Sequence, residues 1–151
     1  RIGGVIDSLR VDVYERLSQF RDVGVPTETE TLVEISDLAA TFPVFRVEPQ
    51  TSDSRFMHKA CATPRVPIAS DWKFSISHVV FGRDHDAIVT VLAPEVTALL
   101  REKDQVLMES TGSALRFCMS EKLLDHNGVS DLLAFALSVT RAASAAVERP
   151  R

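Results

Sequence analysis

Hydrophobic positions near the end of the chain, between residues 130 and 147, recur at the spacing of an α-helix. They form one broad stripe, whose members are Leu132, Phe135, Ala136, Val139, Ala143, Ala146 and Val147. Ser138 and Arg141 fall on the opposite side. Because such a stripe has to be shielded from water, we expect it to pack against the rest of the domain, a second copy or a partner. The pattern predicts an amphipathic C-terminal helix, capped by Ser130 and ending near Glu148, on one face of a sheet.

Helical spacing also fits the first 42 residues. In segment 6–21 a stripe is formed by Ile6, Leu9, Val13, Leu17 and Phe20. Thr27 and Glu30 have the spacing of a capping box, and a second stripe follows in Leu32, Ile35, Leu38, Ala39 and Phe42. Pro43 ends that pattern, because the residue before a proline is disfavoured in the α conformation. Residues 1–42 are therefore predicted to form two helices.

Strand patterns dominate the middle of the chain. Alternating or β-branched runs predict strands at 44–47, 73–81, 106–109 and 114–120, the last two joined through Thr111 and Gly112. Pro94 suits the first turn of a helix that continues to about Asp104. Segment 87–92 fits both a strand and a helical face, and its β-branched residues favour the strand, paired as a hairpin with 73–81.

These elements predict an α+β fold. It has two N-terminal helices, a central antiparallel or mixed sheet in residues 43–151, and the amphipathic C-terminal helix packed on one face. A length of 151 residues suits a single domain, residues 1–151. Because the sequence begins at Arg1 without methionine, we expect a fragment of a longer chain.

Charge and composition narrow the class of partner. The net charge of −4 argues weakly against nucleic-acid binding. The apolar runs are shorter than a membrane span, and Arg141 interrupts the best of them, so no transmembrane segment is expected. Cys61 and Cys118 are widely separated and suit a reducing, intracellular compartment.

Residues capable of catalysis or metal binding are present but do not form a convincing motif. His58 and Cys61 would make half of a zinc site, and His85 lies between Asp84 and Asp86. Cys118 with His126, or Cys61 with His58, would pair a thiol with a base. Residues 110–113 would suit a phosphate nest. Loops, turns and buried thiols explain these residues more simply, so no catalytic residue, metal or cofactor is predicted.

A basic segment is the clearest candidate for partner binding. Between Ser54 and Ser70 there is no acidic residue, while Arg55, Lys59 and Arg65 carry positive charge and His58 can titrate. Such a segment suits an acidic protein or a phosphate-bearing partner.

A candidate ligand pocket lies between the predicted sheet and the last helix, and would be formed by Trp72, Phe74, His78 and Phe135. Three functions remain open: a protein-interaction or assembly domain, with a homodimer as one form of it; a small-molecule sensor or carrier; and an enzyme that uses histidine or cysteine. The alanine-rich last helix and the lack of catalytic motifs favour the interaction domain.

Overall fold

The computed structural model of the chain describes residues 1–17, 29–50, 63–103, 105–119 and 123–149. It contains one seven-stranded sheet and four helices within these ranges. In chain order the elements are β1 (Ile2–Ile6), β2 (Leu9–Leu17), β3 (Thr29–Ser36), β4 (Phe45–Pro49), α1 (Trp72–Ser77), β5 (His78–Gly82), α2 (His85–Val91), α3 (Pro94–Glu102), β6 (Val106–Ser110), β7 (Leu115–Met119) and α4 (His126–Glu148).

Every neighbouring pair of strands in the sheet is antiparallel, and the spatial order is β1-β2-β3-β7-β6-β4-β5. One face carries the main hydrophobic core, with buried strand residues that include Val33, Ile35, Phe45, Val47, Met108 and Phe117. The helices supply the other half of this core, through residues such as Ile88, Leu100, Leu132 and Val139. The domain is therefore a helical layer on one side of a wide antiparallel sheet.

The two predicted N-terminal helices are wrong, because this region forms strands β1, β2 and β3. Leu9, Val11 and Val13 alternate with Arg10 and other polar residues, and Val11 is buried in the core. Asp7 and Ser8 join β1 to β2 with φ angles of 50° and 69°, as a two-residue type I′ turn requires. Leu9 and Val13 fit both the helical repeat of 3.6 residues and the two-residue repeat of a strand. Pairing with neighbouring strands in the sheet selected the strand.

The predicted strand 73–81 is wrong over its first half. Asp71 accepts a hydrogen bond from the backbone N–H of Phe74 at 3.0 Å, which starts helix α1. The strand begins only at His78, where β5 pairs with β4. For segment 87–92, the favoured strand is also wrong: this is helix α2, which Asp84 caps through the N–H of Ala87. The predicted hairpin between the two segments therefore does not form.

Other predicted elements are confirmed with small shifts in their bounds. Strand 44–47 is β4, the helix from Pro94 is α3, and the two strands joined through Thr111 and Gly112 are the β6–β7 hairpin. These segments have strong local signals, namely a proline at the first helical turn and a glycine in the strand turn, where Gly112 has a φ of 94°.

The C-terminal helix α4 forms as predicted but starts earlier, with Asp125 rather than Ser130 as its cap. It packs over β3 and β7 and against α2 and α3, with Ala136, Val139 and Ala143 fully buried. Among the described residues, α4 alone has the length and the apolar composition needed to cross a bilayer, with a mean hydropathy of 1.2. This is weak evidence for a membrane span, because a core helix passes the same test and the apolar stripe of α4 lies on the sheet.

Candidate functional site

The two outer strands of the sheet, β1 and β5, differ in whether another described segment pairs with their outer side. Along β5, the backbone N–H of Val66 donates to the carbonyl of Val80 at 2.8 Å, and the N–H of Gly82 donates to the carbonyl of Pro64 at 3.0 Å. Residues 64–66 therefore cover this edge. At the opposite end of the sheet, β1 pairs only with β2, and none of the described segments pairs with its outer side.

The uncovered strand β1 is exposed along its whole length of five residues. Ile2 is 79% exposed and Val5 is 72% exposed, although both are large apolar residues. Folded proteins usually protect such an edge with charge, proline or a bulge, because its free N–H and C=O groups can pair with another chain. β1 has none of these three protections within Ile2–Ile6, which makes it the strongest candidate for a binding surface.

Two ion pairs lie within the β1–β2 hairpin, and a third joins its turn to helix α4. Arg1 donates to both carboxylate oxygens of Asp12, at 3.1 and 2.9 Å, and Arg10 donates to the same group at 3.2 Å. The hydrogen bond from Arg1 is the main reason that the pKa of Asp12 lies below its ordinary value, in opposition to burial. At the turn, Asp7 accepts a hydrogen bond from Arg141 of α4. Ion pairs therefore hold the exposed strand at both of its ends, at Arg1 and at Asp7.

Gly3 makes room for the Arg1–Asp12 pair. A Cβ atom at this position would lie 2.4 Å from Oδ1 of Asp12, which is far below any allowed contact. Since Gly3 and Asp12 are paired across the two strands, the carboxylate occupies the space that a side chain on β1 would fill. A larger residue at position 3 would therefore displace the carboxylate of Asp12 and disturb its ion pair with Arg1.

The direction of the free backbone groups follows from the turn. In a two-residue hairpin the residues that flank the turn form a hydrogen-bonded pair, here Ile6 with Leu9. Alternation along the strand then directs the N–H and C=O of Gly4 and Ile2 toward β2 as well. Those of Gly3 and Val5 point away from the sheet, where an added strand would meet them.

Most of the predicted basic segment is not among the described residues. Arg55, His58 and Lys59 lie outside the described residues. Arg65 is exposed, and its backbone forms an isolated antiparallel β-bridge with Phe81 on β5. Its assignment to a partner-binding patch remains a prediction.

Of the four residues predicted to form a pocket, the structure brings two together. Phe74 and His78 are buried and stacked, with ring centroids 4.7 Å apart and an angle of 7° between planes. They line a cavity of about 110 Å³ between α1, β5 and residues 65–68. Trp72 is instead 67% exposed, and Phe135 packs elsewhere, edge-on to Phe117 at 6.4 Å.

The histidines and cysteine that lie in described segments do not converge. Nδ1 of His85 lies 3.0 Å from Asp86 on an exposed turn of α2, and His126 is exposed at the start of α4. Cys118 is a buried thiol on β7. Among the described residues, no group of three or more histidine, cysteine, aspartate or glutamate side chains is placed to hold a metal ion.

Comparison of the chain with models of protein families, with curated proteins and with solved structures gave no significant match. The candidate site therefore rests on geometry alone. The sequence pattern does not predict β1, because Ile6 also fits the first position of a helical stripe. The signal was present in the alternation of Leu9, Val11 and Val13 after Asp7 and Ser8.

Proposed function

We propose that this chain is a non-catalytic protein-interaction domain that accepts a strand along β1. The observation that carries the proposal is that no other described segment pairs with the outer side of β1, where Ile2 and Val5 are exposed and the backbone groups of Gly3 and Val5 point outward. Strand addition uses these features together: backbone hydrogen bonds supply affinity, and alternate side chains supply specificity. The ion pairs of Asp12 and Asp7 favour this use, because an edge already held in place loses less entropy on binding.

A ligand carrier has less support. The cavity beside Phe74 and His78 has a volume of about 110 Å³. Pockets for small organic ligands usually measure about 300–1,000 Å³. The cavity suits a few water molecules better than a metabolite, so the edge of β1 is the better candidate.

Site-specific photo-crosslinking in the native host tests the proposal. A photoreactive amino acid replaces Ile2 in one variant and Val44 in a control, since Val44 is 68% exposed but lies away from β1. We expect a discrete protein adduct at Ile2 and none at Val44. Adding Val5→Lys to the Ile2 variant should remove the adduct, because a charged side chain disfavours pairing at a sheet edge. Absence of an adduct at Ile2, or an adduct that survives Val5→Lys, would contradict the proposal.

A further inference from the structure

We infer that β1 pairs antiparallel with β1 of a second copy of this chain, so that two sheets join into one across a two-fold axis. This inference rests on the proposed function and specifies its partner. Its basis is that the edge is complementary to itself in side chains, in backbone hydrogen bonding and in charge.

The backbone restricts the register. Since Gly3 and Val5 carry the outward N–H and C=O groups, a symmetric antiparallel pair has to place these residues opposite each other. Among the registers that obey this rule, one pairs all five residues of β1. It sets Gly3 against Val5 of the second copy and Gly4 against its own equivalent on the two-fold axis.

The side chains fit this register. Ile2 lies opposite Ile6 of the second copy, on the face of the sheet that carries the core. Both isoleucines are exposed in the single chain, at 79% and 36%, and cross-strand pairing would cover them. On the other face, Val5 lies opposite Gly3 of the second copy and beside the carboxylate of Asp12, which occupies the space over that glycine. The apolar face of β1 thereby continues the core of each domain.

Charge at the two ends supports the same register. Beyond the paired residues, this register brings Arg1 to the same end of the interface as the turn residue Asp7 of the second copy. The side chains of these residues are 60% and 67% exposed, although each already has a partner within the chain. Like charges at these positions would oppose the pairing, whereas opposite charges favour it. Shifting the strands by two residues in either direction separates this pair and leaves residues of β1 unpaired.

The first test is the mass of the particle in solution. A five-residue strand pair is a small interface, so we expect a dissociation constant of about 1–100 μM. Sedimentation across that range should give a dimer for the wild type and for Val44→Lys. Val5→Lys should raise the dissociation constant at least about tenfold, and Val5→Thr should keep the dimer because threonine suits a strand. A wild type that stays monomeric at several hundred micromolar, or a dimer indifferent to Val5→Lys, overturns the inference.

The second test addresses the register. In an antiparallel pair without hydrogen bonds, opposite Cα atoms lie about 4.5 Å apart, which is within reach of a disulfide. A Cβ at Gly4 meets no atom within 4 Å, so Gly4→Cys should fold normally. Mild oxidation should link its two copies much faster than those of Val44→Cys, with the wild type as the background for the native cysteines. Equal rates for the two variants overturn the register.

The outcomes separate the inference from the proposed function. One outcome is a monomeric wild type whose Ile2 variant still crosslinks to another protein, with the adduct lost in Val5→Lys. That outcome overturns self-pairing and supports strand addition from a different partner. If neither self-association nor the Ile2 adduct depends on Val5, both the self-pairing of β1 and the proposed function are wrong.

Discussion

Oδ2 of Asp71 accepts a hydrogen bond from the hydroxyl of Thr97 at 2.8 Å, and this bond joins helix α1 to helix α3. Thr97 is fully buried. Nε of Arg101 lies 3.2 Å from the same Oδ2, while Oδ1 of Asp71 accepts from the N–H of Phe74. One carboxylate therefore starts α1 and positions it against α3, and α1 supplies one wall of the cavity beside His78.

Asp71→Ala should lower the free energy of unfolding by about 2 kcal/mol, because it removes a helix cap and a partner of a buried hydroxyl. Asp84→Ala is the matched control, since Asp84 caps α2 with one exposed hydrogen bond. We expect it to cost about 1 kcal/mol or less. Urea unfolding of the two variants measures the difference, and equal losses would refute a joining role for Asp71.

The contribution of Asp71 should depend on pH. Burial alone would raise the pKa of Asp71, but hydrogen bonds from Phe74 and Thr97 and the charge of Arg101 together hold it below its ordinary value. A carboxyl whose pKa is lowered in the folded state stabilises the protein at pH values above the pKa of the unfolded state, which is about 4. This stabilisation is lost as the pH falls through the folded-state pKa.

Wild type and Asp71→Asn should therefore differ in stability at pH 7 and converge as the pH falls below about 4. Thr97→Val removes one of the hydrogen bonds that lower the pKa of Asp71, so its acid-induced loss of stability should be smaller and should level off at a higher pH than in the wild type. Urea unfolding between pH 7 and pH 2.5 gives the curves. Parallel curves for wild type and Asp71→Asn would be inconsistent with this account.

Gly82 lies at the end of β5 where no side chain fits. A Cβ there would lie 2.3 Å from Cδ1 of Ile88 and 3.1 Å from the carbonyl oxygen of Val44. Gly82→Ala should cost about 2 kcal/mol, because Ile88 is fully buried and the backbone of Val44 cannot give way easily. Gly4→Ala, in open space on β1, should leave stability unchanged or raise it by about 0.5 kcal/mol. Thermal or urea unfolding compares the pair, and similar effects of both would contradict the crowding at Gly82.

Leu132 tests how α4 is held on the sheet. Its side chain is 1% exposed within the core, so Leu132→Ala should lower the free energy of unfolding by about 3 kcal/mol. Leu123 is 58% exposed just before the helix, and Leu123→Ala should cost about 0.5 kcal/mol or less. A loss below 1 kcal/mol for Leu132→Ala would show that α4 is not packed as described.

Local chemistry explains which elements were predictable. Pro94 at the start of α3, Gly112 in the β6–β7 turn and the apolar stripe of α4 each act within a few residues, so their effect is readable in the sequence. Sequence reasoning placed Phe74 and His78 in one pocket, but it gave no sign that the candidate site, β1, lies at an edge of the sheet. Whether a strand lies inside or at the edge of a sheet depends on distant segments.

The sequence by itself determined the α+β class, the β6–β7 hairpin and a C-terminal helix with one buried face. Only the tertiary structure decided that the first 36 residues contribute strands. Leu9 and Val13 satisfy both the helical and the strand period, and the choice between them came from the sheet, where β2 pairs with β3 and β3 pairs with β7, some 80 residues later in the chain. Such pairing places Val33 against Phe117, and no local pattern encodes a hydrogen-bonding partner so far away.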